Sequence, residues 1–118
     1  MKNEEKDLAP RTKEFARRII RLYAALSRDA AAQILGRQVL RSGTSIGANY
    51  REANRARSKA EFVAKIGDCL KEADETAYWL ELLLEEHFFP APKLAPLLAE
   101  PNELVAIFVT ISKRARGD

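Results

Sequence analysis

Apolar residues recur at helical spacing in four stretches of the chain, and each stretch stops at a cluster of turn-forming residues. In the first, Phe15, Ile19, Leu22 and Leu26 alternate steps of four and three, the period of a stripe that faces a core. Ile20 and Tyr23 widen the stripe, while Arg17, Arg18, Arg21 and Arg28 lie beside or behind it. Pro10 suits the first turn of such a helix, where its missing N–H costs nothing. Residues 1–9 show no period and are expected to be a flexible N-terminus. The first helix therefore spans about 11–27, with Ser27 to Asp29 as the turn and Asp29 as the N-cap of the second helix.

That second helix, about 30–57, runs against propensity, because SGTSIGAN reads locally as a loop. Counting 100° per residue argues for helix. Leu35, Val39, Ser42, Ile46, Tyr50 and Ala53 share one face, and Arg37, Arg41, Arg51 and Arg55 share the opposite one. Gly36, Gly43, Gly47 and Asn54 form a third ridge between them. A loop does not hold three coherent stripes in one register.

The third helix, about 59–87, starts at a Ser58–Glu61 capping box. Phe62, Ile66, Cys69, Ala73, Thr76, Leu80 and Leu83 then keep a strict four–three alternation, broadened by Val63, Leu70, Ala77 and Leu84. The back of this helix is polar early (Lys71, Glu75) and apolar late, at Tyr78, Trp79 and Leu82. Those three residues are the expected subunit contact. HFFPAP ends the helix, and a fourth, about 93–115, presents Leu94, Leu97, Leu98, Leu104, Ile107, Phe108 and Ile111. Pro96 falls in its first turn, while Pro101 implies a kink or a fresh start. Lys113, Arg114 and Arg116 suit a helix C-terminus. The pattern predicts an all-α, antiparallel up-down-up-down four-helix bundle, a single domain over 10–118.

Composition agrees with helix, since Ala, Leu, Glu, Lys and Arg outweigh Val, Ile and Thr. One cysteine, Cys69, makes no internal disulfide and no Cys-only metal site. The charged start MKNEEKDLAP is neither a signal peptide nor an anchor, and no apolar run is read as long enough to cross a bilayer. A soluble, reduced, cytoplasmic protein with no membrane partner is expected.

The net charge of +3 hides an asymmetry. From Arg11 to Arg57 eleven Lys/Arg face Glu14, Asp29 and Glu52, a balance of +8; from Ser58 onward seven Lys/Arg face eleven Asp/Glu, a balance of −4. Such halves either attract each other across the bundle or leave a basic surface for a polyanion or an acidic partner.

Candidate chemistry is sparse. GTSIG lacks the Lys-Ser/Thr that a phosphate loop carries after its last glycine, so its small residues are better read as admitting a neighbouring helix. His87, the single histidine, sits at a helix end in a surface or capping position, and Cys69 lies on a core face. Glu72, Asp74 and Glu75 lack the Glu-x-x-His pairs of a bundle metal site; they form a solvated face or meet arginines of a neighbouring subunit. Ser42, Thr44, Ser45 and Asn49 have no base beside them and are expected to bond helix carbonyls or an adjoining helix. Neither a catalytic set nor a metal or cofactor site is assigned. The arginine face of Arg37, Arg41, Arg51 and Arg55, with Arg57 and Lys59 at the turn, is the candidate site. It can contact nucleic-acid phosphates, form subunit salt bridges, or serve solubility. Arg17, Arg18 and Arg21 are possible extensions. Without interleaved aromatics it does not read bases.

The stretch LRSGTSIGANYREANRARSKAEFVAKIGDCLKEADETAYWLELL resembles the small bacterial proteins encoded by intervening sequences of large-subunit ribosomal RNA genes. The matching features are SIGANYREA in an Arg-rich helix, a Ser-x-x-Glu-Phe helix start, and a third helix ending in Tyr-Trp-Leu-Glu-Leu-Leu. NELVAIFVTISKRAR resembles the family's last helix, and the chain departs from the pattern at Pro101. The resemblance implies a four-helix bundle assembled as a homopentamer. A related protein, the accessory variability protein of diversity-generating retroelements, partners a reverse transcriptase and binds nucleic acid through a basic surface. The expected protein is thus a non-enzymatic, self-associating bundle that binds RNA or DNA, with a protein-assembly module as the alternative.

Overall fold

The structure, a computed structural model, describes the backbone of residues 2–117 and the side chains of residues 7–117. The described residues form four helices, α1 (Lys2–Ala25), α2 (Ala30–Asn54), α3 (Lys59–Glu85) and α4 (Ala91–Arg116). Helices adjacent in sequence are adjacent in space, with α2–α3 the most extensive seam and α1–α4 the sparsest. Short connections make the neighbours antiparallel. On α1 and α2, Thr12 lies opposite Gly47 and Ile19 opposite Gly43; on α2 and α3, Ser42 meets Thr76 and Glu52 meets Lys65. This is the all-α up-down-up-down bundle that the periodicity predicts.

The expected stripes converge in one core. Phe15, Ile19, Val39, Ile46, Ile66, Leu80, Leu83, Leu94, Leu104 and Phe108 are all almost fully buried. Leu35, Phe62, Leu98 and Ile107 flank this core half-buried, at the edges of their stripes. The polar members of the core are satisfied by helix carbonyls or by each other, Thr12 Oγ1 donating to the Leu8 carbonyl at 2.7 Å. Thr76 Oγ1 donates to Ser42 Oγ at 2.8 Å, and Ser42 Oγ donates to the Gln38 carbonyl at 2.9 Å.

SGTSIGAN is helical, as its three stripes require. Its hydroxyls fold back on the helix: Thr44 Oγ1 donates to the Leu40 carbonyl at 2.7 Å and Ser45 Oγ to the Arg41 carbonyl at 2.6 Å. Its glycines admit α1. A Cβ at Gly43 would lie 3.0 and 3.1 Å from Cγ1 and Cγ2 of Ile19, and one at Gly47 would lie 3.1 Å from Thr12 Oγ1.

The helix ends differ from the expected ones, each for a local reason. The segment 1–9 was expected outside α1, yet the helix is already formed at Lys2 and Pro10 lies in its interior. Leu8 is fully buried, which extends the buried stripe two steps back from Phe15 by way of Thr12, while Pro10 turns to solvent. At its other end α1 stops at Ala25. Asp29 then caps α2, accepting from Ala31 N at 2.9 Å and Ala32 N at 3.2 Å. α2 ends at Asn54 with Arg55 as its C-cap, three residues before the expected 57. Ser58 Oγ accepts the Glu61 N–H at 3.0 Å to start α3.

α3 ends at Glu85 and not at 87, because His87 adopts a left-handed φ of 59°. Phe88 N donates to the Leu83 carbonyl at 3.0 Å and His87 N to the Leu84 carbonyl at 3.1 Å. Those two bonds make a Schellman motif, with Phe88 and Leu83 in the same apolar cluster. α4 begins at Ala91, so Pro92 takes the first turn and Pro96 falls inside. No fresh start occurs at Pro101. The helix continues through it with the ring buried among the core residues.

One expectation about α4 is corrected. It is long and apolar enough over 18 residues (mean hydropathy 1.5) to meet the length and composition of a membrane span. Its apolar character instead fits a core helix, since Leu94, Leu97, Leu104, Phe108 and Ile111 are buried within the bundle.

Two substitutions test this packing. His87→Gly removes the penalty of a left-handed L-residue and is expected to raise stability by about 1 kcal/mol in chemical denaturation. Gly43→Leu drives a side chain into the branched Ile19 and is expected to cost about 2 kcal/mol by the same measurement.

Candidate nucleic-acid interface

α2 has neighbours on both flanks, so a stripe that looks single on a helical projection is divided between two seams. Arg41 turns towards α3. Its guanidinium pairs with Glu72 at 3.3 Å and makes a still shorter contact with Glu75. The same Glu75 carboxylate accepts the Trp79 indole N–H at 3.2 Å. The basic and acidic halves of the chain therefore neutralise each other at this point, and Arg41 is occupied within its own chain.

Arg51 and Arg55 go the other way. They line a groove of about 630 Å³ between α1 and α2, with Ala9, Thr12, Lys13 and Ala16 on one wall and Thr44, Gly47 and Ala48 on the other. Ala9, Thr12, Ala16, Thr44, Gly47 and Ala48 make its walls largely from small residues. Lys13, Arg51 and Arg55 are exposed and have no carboxylate partner among the described side chains. The one acid among the lining residues, Glu52, is engaged by Lys65 Nζ at 2.5 Å and holds that ammonium above its ordinary pKa.

Arg37 is exposed and likewise without a carboxylate among the described side chains. It stands 14 residues from Arg51, about 20 Å along the helix axis. The candidate set thus separates into Arg51 with Arg55 in the groove, Arg37 near the opposite end of α2, and Arg41 withdrawn. Of the possible extensions on α1, Arg17 is exposed. Arg18 and Arg21 lie on the other flank, against α4. Lys13 was not among the residues expected from sequence. The signal was present, because Lys13 falls one turn from Ala9 and Ala16 on the side of α1 that the small residues mark as close-packed.

A model of the 23S rRNA-intervening sequence protein family matches residues 4–110. The chain belongs to that family. It is also similar to a solved protein of unknown function from the S23 ribosomal protein family of Bacteroides thetaiotaomicron, at 38% identity over 93% of this chain and 98% of that one, with a TM-score of 0.86. Among curated proteins none matches it.

In this 23S rRNA-intervening sequence protein the expected subunit contact is unevenly exposed. Tyr78 is 54% exposed and its ring meets Trp79 edge-on, with centroids 5.1 Å apart. Trp79 is half-buried against the core and fixed by Glu75, and Leu82 is half-buried too. Two more large apolar residues lie on the surface: Ile20 on α1, 51% exposed although expected to widen the core stripe, and Ile34 on α2, 56% exposed and absent from the stripes expected from sequence. Ile34 shares the outward side of α2 with Arg41, which its spacing of seven already implies.

No group of three or more His, Cys, Asp or Glu converges on a common point among the described residues. Cys69 is fully buried and donates to the Ile46 carbonyl at 3.7 Å. Burial, reinforced by nearby Asp68, pushes its thiol up to about 12. The thiol is expected to resist iodoacetamide at pH 8 until the chain is denatured. Because the folded state holds this proton more tightly than the unfolded one, stability is expected to fall as pH rises from about 9 towards 12. Alkylation followed by mass, with and without denaturant, checks the first point, and denaturation midpoints against pH check the second.

Proposed function

We propose that this protein is a non-catalytic, self-associating bundle that holds nucleic acid by its phosphates in the α1–α2 groove. The observation that carries the reading is the grouping of Lys13, Arg51 and Arg55 around one groove without a carboxylate among the described side chains to neutralise them. Nucleic acid carries a condensed counterion atmosphere around its phosphates. Transferring those phosphates onto the three cations releases ions and makes binding favourable and salt-dependent, with no demand on sequence. Tyr50, the aromatic residue among those lining the groove, is buried and faces Phe108. It offers no platform for bases, so the contact is to the backbone.

Self-association multiplies this weak site. In a homopentamer built on Tyr78 and Leu82, with Trp79 behind them, five copies of the groove act together and gain avidity without new contacts. Such a ring also suits a protein partner that itself handles nucleic acid, a reverse transcriptase being one example. A second reading, an assembly module with no nucleic-acid role, is favoured by Arg41, whose charge is spent on carboxylates of its own chain.

Anisotropy with a labelled RNA or DNA duplex across a salt series separates the two. Arg51→Ala combined with Arg55→Ala is expected to weaken binding about tenfold at low salt and to reduce the slope of log affinity against log salt by about 2. Light scattering should still find a particle near five times the 13.3 kDa chain. Arg41→Ala should leave the affinity unchanged and lower thermal stability. If the double variant binds as well as the native protein, the groove is not the site; if it falls apart into single chains, the arginines hold the assembly together and the second reading stands.

A further inference from the structure

We infer that the cleft between α1 and α4 is a second, separate binding site, which takes a small aromatic or branched aliphatic carboxylate. The cleft has a volume of about 260 Å³ and is lined by Arg18, Arg21, Leu22, Phe89, Lys93 and Leu97. Three cations and three apolar side chains therefore meet in one place, and no acid is among them. Arg21 reaches Glu14 on its own helix at 3.7 Å, but both side chains are more than half exposed, and such pairs contribute little. Arg18 and Lys93 have no carboxylate partner among the described side chains.

The same edge of α1 shows what these cations accept. Two turns earlier, Arg11 Nε donates to Glu100 Oε2 at 2.7 Å, and its Nη2 reaches Glu100 Oε1 at 2.8 Å and Glu103 at 3.0 Å. Those carboxylates come from α4 and hold Arg11 further above its ordinary pKa, the bond to Glu100 being the largest cause. Seven residues on, Arg18 occupies the equivalent edge position, but α4 and its preceding turn present Lys93, Leu97 and Phe89 there. The carboxylate that completes the arrangement at Arg11 is missing from the chain at Arg18. A ligand carboxylate supplies it, with a fork-like guanidinium match.

Size and floor set the rest of the ligand. The volume lies below the roughly 300–1,000 Å³ of pockets for drug-sized molecules, which limits the occupant to about one ring or one branched chain. Leu22 and Leu97 are buried and Phe89 is half-buried, so they form an apolar floor that excludes a bare inorganic anion as the best-fitting guest. The site does not depend on the nucleic-acid reading, since it shares no residue with the α1–α2 groove.

The test is ligand-observed fluorine NMR with 3-(4-fluorophenyl)propionate and the full chain. Saturable broadening in the submillimolar range is expected. Arg18→Gln with Lys93→Gln should weaken it at least tenfold, as should replacing the probe by its neutral amide. Phe89→Ala should weaken it about threefold to tenfold, and inorganic phosphate should compete poorly. Arg51→Gln with Arg55→Gln should change nothing, which keeps this site distinguishable from the groove. Absence of saturable broadening, equal binding of the amide, or full binding by the Arg18/Lys93 variant would each overturn the inference.

Discussion

The close approach of α1 to α2 over Gly43 and Gly47 governs the rest of the molecule. Ile19 and Thr12 occupy the space that side chains at those positions would need, so α1 is drawn to one neighbour. The α1–α4 seam is by contrast sparse. Packing there is replaced by charge: Arg11 bridges to Glu100 and Glu103, with the Arg11 and Glu100 side chains 28% and 15% exposed. Partial burial lets this pair do more than a surface ion pair, because water screens it less. The α1–α2 seam carries a groove of about 630 Å³ walled largely by small residues, and the α1–α4 seam a smaller, more open depression of about 260 Å³.

Much of this was legible in the sequence. Four stripes at helical period fixed the fold class, and the same counting rescued SGTSIGAN from a loop assignment that propensity alone would have made. The Ser58 and Asp29 caps were readable because a cap is a local device with a residue type at a fixed offset. Ends that depend on tertiary contact were not. Leu8 helps carry α1 back to Lys2 by being buried, and Pro101 stays within α4 on a face packed into the core. His87 was placed at a helix end correctly, yet nothing in its residue type announced a left-handed φ, which glycine would ordinarily supply.

The arginine face shows where projection fails. Arg41 and Arg51 are ten residues apart, a net rotation of about 80° around α2. On a wheel that spread looks like one stripe. In a bundle, 80° is enough to aim one guanidinium at α3 and the other at α1. From sequence, phosphates, a neighbouring subunit, solvent and the acidic half of the same bundle were all open as partners for these arginines; Glu72 and Glu75 of the same chain take Arg41. The identity of the facing helix, not the register of the residue on its own helix, decides which charge is neutralised.

That rule also explains why positive charge survives where it does. The first two helices are basic in balance and the last two acidic, and the bundle order α1–α2–α3–α4 brings the two halves together along α2–α3 and α1–α4. Arg41 with Glu72 and Glu75, and Glu52 with Lys65, use the first seam; Arg11 with Glu100 and Glu103 uses the second. The α1–α2 seam joins two basic helices, so Lys13, Arg51 and Arg55 meet no described acid across it apart from Glu52, which α3 has already claimed. Chain order and charge order together leave the α1–α2 seam without a described acid for these three cations. The proposed nucleic-acid reading rests on the groove at that seam, where the phosphates of a polyanion would meet cations from both walls.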